Sequence, residues 1–141
     1  MRPDWDTYFT WLARTIALRA DCYGSHYGAV LVYEHRVVST GYNGTAQGQR
    51  NCSDDGCHRC LQRKNGSIKS GDELDLCACI HAESNAVLYA QLHGFVSFSE
   101  SHLYVAGNGP YKNLCRRCTE LIVNVGIPLA HLNGEIIYAV D

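Results

Sequence analysis

Between Thr45 and about Asp75 the chain is rich in Gly, Ser, Asn, Asp and Lys and carries little apolar periodicity. A stretch of that length cannot order itself by burying a hydrophobic face, so inside a compact domain it needs another device. Cysteines supply one. Cys52, Cys57 and Cys60 lie within the stretch, Cys77 and Cys79 close it, and Cys22 precedes it, which leaves Cys115 and Cys118 for a separate use. In a secreted domain such a set reads as a disulfide framework, whereas in a reducing compartment the same thiols are metal ligands. Met1-Arg2-Pro3-Asp4 lacks the charged-then-apolar pattern of a signal peptide, and no apolar run of about 18 residues follows. The expectation is a cytoplasmic protein with no membrane span and with its thiols on metal.

The 141 residues give room for one domain, residues 1–141, with the 45–79 segment as a metal-stabilised insert. A net charge of −2 and the lack of a basic stripe disfavour nucleic acid as a partner and leave a small molecule.

Around the insert the periodicities are clearer. Trp5, Tyr8, Phe9, Leu12, Ile16 and Ala20 follow helical spacing behind Asp4, a cap residue. "GAVLVY" and "RVVSTGY" read as a hairpin broken at Glu34-His35, with a tight loop at "GYNG". A second helix runs from about Ala82 and is closed by Gly94. "HLYVA" is a strand, "CRRCTELIVNV" a helix stopped at Gly126, and "EIIYAV" a terminal strand. This order predicts an α/β domain with helices covering a central sheet whose later strands, separated by single helices, run parallel.

His81 and Glu83 begin one of these helices and Cys115 and Cys118 another, where side chains three apart point the same way. One imidazole and two thiolates make three ligands for a tetrahedral zinc and leave a position open for water, as catalytic zinc requires. A glutamate beside that water can take and return its proton. Asn43 in "GYNG" reads from sequence alone as a turn residue.

With "HAE" at 81–83 and "CRRC" at 115–118, the chain resembles the zinc-dependent cytidine deaminase superfamily. "RADCYGSHYGAVLV", "STGYNGTAQG", "NCSDDGCHRC" and "DLCACIHAESNA" make the resemblance closest to deoxycytidylate (dCMP) deaminases. The resemblance implies a three-layer α/β/α cytidine-deaminase-like fold with a central mixed sheet of four or five strands. It implies a catalytic zinc on His81, Cys115 and Cys118, Glu83 as the proton shuttle, and substrate contacts from Asn43 and the backbone of Ala82. It implies hydrolysis of dCMP to dUMP and ammonia, and a second, structural zinc with ligands near Cys22 and Cys52. Four ligands close such a site, and the set expected here is Cys22, Cys52, Cys60 and Cys79, with Cys57, Cys77 and His58 as competitors.

Several positions depart from the family pattern. Leu114 stands where the family carries proline before the first cysteine of C-x-x-C, and "GNGPYKNLC" is longer than the usual connection, with Tyr111 available to stack on a base. Ala46 replaces a proline of the allosterically regulated members. The chain after Gly126 is short, so the sheet is expected to lose a strand and to be covered by association into a homo-oligomer. Two alternatives remain open at this point: a deaminase of a modified cytosine nucleotide, nucleoside or purine base, and a zinc-stabilised binding module without catalysis.

Overall fold

In the computed structural model, which describes residues 1–140, the strand Tyr27–Tyr33 (β1) is buried on both faces. Ala29 and Leu31 enter one core together with Leu103 and Val105, while Val30 and Val32 enter another with Tyr104 and Ala106. That division by alternate residues is what a strand covered from both sides must show. Helix Trp5–Ala17 (α1) closes the second core through Phe9 and Ala13. Helices Ala82–Leu92 (α3) and Arg116–Val125 (α4) close the first through Ala82, Ala86, Val87, Ala90 and Ile122, and His58–Lys64 (α2) lies in the insert. The result is the three-layer α/β/α arrangement. Fully burying a side chain such as Leu31, Leu103 or Ile122 contributes about 1.5–3 kcal/mol.

The sheet has five strands in the order β2-β1-β3-β4-β5, with β2 at Arg36–Tyr42, β3 at Ser101–Gly107, β4 at Leu129–Leu132 and β5 at Glu135–Ala139. Only β3 and β4 are parallel, and the other neighbours are antiparallel. The expected loss of a strand does not occur: Leu129–Leu132, which has no clear sequence signal of its own, is the parallel partner of β3 in place of the terminal strand, and the terminal strand folds back on it. Asn133 and Gly134, both at positive φ (52° and 91°), make the two-residue turn between them.

Local chemistry explains the other boundaries. The Asp4 side chain accepts the Thr7 N–H at 2.8 Å and caps α1, and Gly126 at φ 88° ends α4 in the left-handed conformation. Glu34 and His35, at φ 51° and 59°, form the β1–β2 turn, and the His35 ring stacks on Trp5 with centroids 4.2 Å apart and planes at 6°. Gly41 lets α3 lie directly on β2, since a Cβ there would fall 2.4 Å from the Ala82 carbonyl. No helix among the described residues is long and apolar enough to cross a membrane.

The 45–79 stretch is not structureless. It contains α2 and two short 3₁₀ turns at Cys52–Asp54 and Leu74–Leu76. The buried residues of α2 are Arg59 and Cys60, so no apolar stripe holds it. Its small core consists of Cys52, Cys57 and Cys60, at most 5% exposed, with Cys22, Cys77 and Cys79 packed around them.

Candidate active site and metal centres

Two helix N-termini converge on one point. His81 is the N-cap residue of α3 and Cys115 that of α4, both with extended backbone, and Cys115 Sγ accepts the Cys118 N–H at 3.4 Å. His81 Nδ1 lies 3.3 Å from Cys115 Sγ and 3.4 Å from Cys118 Sγ. A tetrahedral zinc bonded to sulfur at about 2.3 Å and to nitrogen at about 2.0 Å separates those atoms by about 3.5 Å, so the three donors fit the ion. The helix ends add positive potential that favours thiolate over thiol.

Glu83 sits in the first turn of α3 and is only 5% exposed. Burial pushes the Cys118 thiol pKa well up, and the Glu83 charge beside it pushes further the same way. A divalent cation among these groups reverses that preference, because it stabilises the thiolates and offsets the carboxylate. Ala82, fully buried, is the first residue of α3, and its N–H has no acceptor within the helix.

Asn43 is buried and holds the start of β1: its Oδ1 accepts the Tyr27 N–H at 2.7 Å, and its Nδ2 donates to the Ser25 carbonyl at 2.8 Å. One amide hydrogen and one lone pair of Asn43 are left over. The 107–115 connection is tied to the same place, since Asn108 Oδ1 accepts the His26 N–H at 2.8 Å and its own N–H donates to the His26 carbonyl at 3.1 Å. Leu114 packs against the first core, and Tyr111 lies 6.3 Å from Tyr27, ring to ring. The Tyr27 hydroxyl is buried and makes no hydrogen bond of full geometry; burial raises its pKa, the nearby backbone of Tyr111 and Gly109 pulls it down, and the Tyr111 and Glu83 charges push it up. Neither Tyr27 nor Asn108 is recognisable as a site residue in the sequence. An aromatic at the head of a strand and an Asn beside a Gly carry no signal that separates packing from binding.

The remaining cysteines form one cluster. The sulfurs of Cys22, Cys52, Cys60 and Cys79 lie within 4.8 Å of one another, and so do those of Cys57, Cys60, Cys77 and Cys79. All are free thiols. The structure thus brings the four expected residues together and adds the two competitors Cys57 and Cys77, while His58 is in neither group. Hydrogen bonding to Cys79 lowers the pKa of Cys22 to about 6 and that of Cys77 to about 5. Cys60 is shifted up by burial, and Cys79 by the same two hydrogen bonds that lower its neighbours. Asp21 steadies the cluster, accepting the Cys52 N–H at 3.1 Å.

Sequence and structural likeness place the chain among known proteins. The family described as "Cytidine and deoxycytidylate deaminase zinc-binding region" matches residues 3–132. The chain is 48% identical over 89 residues to a deoxycytidylate deaminase of Schizosaccharomyces pombe, covering 63% of this chain and 26% of that protein. It is 36% identical over 130 residues to a deoxycytidylate deaminase of Mycobacterium phage D29, covering 89% of this chain and 91% of the phage protein. The chain thus spans about a quarter of the fission yeast relative and most of the phage one. In fold it is similar to the dCMP deaminase of cyanophage S-TIM5 solved with dCMP and dUMP, with a TM-score of 0.66, 22% identity, and coverage of 94% of this chain and 82% of that one.

Proposed function

The chain belongs to the cytidine and deoxycytidylate deaminase family, and from that premise we propose that it hydrolyses dCMP to dUMP and ammonia. The observation that carries the reading is the buried Glu83 carboxylate, in the first turn of the helix that His81 caps, together with three convergent donors, His81, Cys115 and Cys118. Zinc held by those three supplies the Lewis acidity that makes water a nucleophile at neutral pH. Glu83 accepts a proton from the attacking water and delivers it to N3 of the cytosine ring, then moves the second proton to the amine leaving C4. Burial suits it to this task, because a carboxylate shielded from bulk water exchanges protons with the substrate rather than with solvent. The unpaired Ala82 N–H orients the oxygen that becomes the product carbonyl. Asn43 holds Ser25 and Tyr27 in position and offers its remaining amide hydrogen to the nucleotide.

In this reading residues 1–141 act as one catalytic domain with 45–79 as its metal-stabilised insert, and Cys22, Cys52, Cys60 and Cys79 close a structural zinc site. The protein works as a homo-oligomer in a reducing compartment. Trp5, Tyr8 and Trp11, spaced along one face of α1 and 42–52% exposed, support the association.

Ammonia release from dCMP, dCTP, cytidine, guanine and a 5-substituted dCMP tests the substrate. Release from dCMP is expected, and activity confined to any of the others overturns the assignment.

A further inference from the structure

A single tetrahedral ion on Cys22, Cys52, Cys60 and Cys79 leaves Cys57 and Cys77 without a role, yet they are not placed as spare thiols. Cys57 is fully buried, its Sγ is 3.8 Å from Cys77 Sγ, and Cys77 Sγ is 3.9 Å from Cys60 Sγ. Tetrahedral zinc with sulfur at about 2.3 Å spaces its ligand sulfurs about 3.8 Å apart. The Ala78 N–H also donates to Cys57 Sγ at 3.2 Å, a contact that suits a thiolate more than a thiol.

From this geometry we propose that the cluster is a binuclear centre holding two divalent d¹⁰ ions, zinc in the native protein, with Cys60 and Cys79 bridging them. One ion takes Cys22 and Cys52 as terminal ligands and the other takes Cys57 and Cys77. Both four-sulfur groups meet the distance condition, and Cys60 and Cys79 are the two residues they share, so the tetrahedra join along that edge.

Two further observations fit. The buried core of this segment is made of cysteines alone, so no aliphatic packing explains why six sulfurs are gathered here. Six thiolates around two divalent cations carry a net negative charge, and Arg59, between Cys57 and Cys60 in the chain, is 4% exposed. Its guanidinium donates to the Asp72 carbonyl at 2.9 Å, while Nη2 has no partner and no carboxylate pairs with it among the described residues. A buried cation on the helix that carries Cys60 is compatible with an anionic cluster in the same segment.

The proposal rests on the cluster being a zinc site but not on catalysis, and its test reads metal rather than turnover. Elemental analysis of protein purified under reducing conditions is expected to give three zinc ions per chain, two in His81→Ala, and two in the Cys57→Ser/Cys77→Ser double variant. X-ray absorption of His81→Ala is expected to show metal–metal scattering at about 3 Å, the separation of two edge-sharing zinc–sulfur tetrahedra. Two zinc ions per wild-type chain with no metal–metal vector overturn the proposal, as does a double variant that keeps the wild-type count. Should the double variant fail to fold, the absorption spectrum of the wild-type protein decides alone. Loss of one ion in His81→Ala without loss of the vector keeps the catalytic reading and this one separate.

Discussion

Gly44 and Ile80 exchange both backbone hydrogen bonds, 3.2 Å from the Gly44 N–H to the Ile80 carbonyl and 2.7 Å in return. This single antiparallel bridge fastens the turn carrying Asn43 to the short segment between Cys79 and His81. A Cβ on Gly44 would fall 2.2 Å from Asp21 Oδ1, and Asp21 is the acceptor for the Cys52 N–H. Gly44→Ala therefore disturbs the catalytic loop and the cysteine cluster together. The expected cost is about 1–3 kcal/mol in urea unfolding, with zinc lost more readily on dialysis against a chelator. An unchanged unfolding midpoint would show that Asp21 moves aside freely.

Glu83→Gln keeps the shape and hydrogen-bonding reach of the side chain and removes its basicity. The expected fall in kcat for dCMP is about 10²–10⁴-fold, with zinc content retained. Steady-state kinetics and elemental analysis on the same preparation check this, and substantial residual turnover removes Glu83 from the proton path.

Tyr27→Phe deletes a buried hydroxyl that lies beside the Tyr111 and Gly109 backbone but makes no hydrogen bond of full geometry. Removing an unsatisfied polar group of this kind is neutral or stabilising by up to about 1 kcal/mol. Chemical denaturation measures it, and a clear loss of stability would reveal a partner for the hydroxyl.

His131 gives a pH dependence with a defined sign. Burial lowers its pKa below the ordinary 6.5, against the opposing pull of the Asp6 carboxylate and with some help from His102. Its ring is 2% exposed and stacked on Tyr104 at 4.5 Å. The unfolded imidazole takes up a proton first, so stability is intact above about pH 6.5 and falls as the pH drops toward the folded value. His131→Phe keeps the stacking and should flatten this part of the stability–pH curve. Acid release of metal contributes equally to variant and wild type, so the difference between the two curves isolates the imidazole.

Much of this was readable in the amino-acid sequence, because the relevant signals are local. The capping Asp4, the stop at Gly126 and the helix starts at His81 and Cys115 are each defined within one or two turns of chain. What escaped depends on partners distant in sequence. Leu129–Leu132 is only four residues long and follows Ile127-Pro128, which reads as the end of a helix, although the Asn133-Gly134 pair after it is a strong hairpin signal. Helix α2 escaped because thiols rather than an apolar stripe hold it. The sharing of Cys60 and Cys79 between two groups of four cannot be read from spacing at all, since it is a property of distances among sulfurs brought in from three segments.

The stacking of His35 on Trp5 joins the tip of the β1–β2 hairpin to the first turn of α1. An indole in face contact with an imidazole has a fluorescence that depends on whether the second ring is present and whether it is protonated. The molecule thus contains its own optical probe at the seam between its first helix and its sheet. In a Trp11→Phe background, which leaves Trp5 as the one indole, separation of α1 from the hairpin can be followed through that emission without attaching a label.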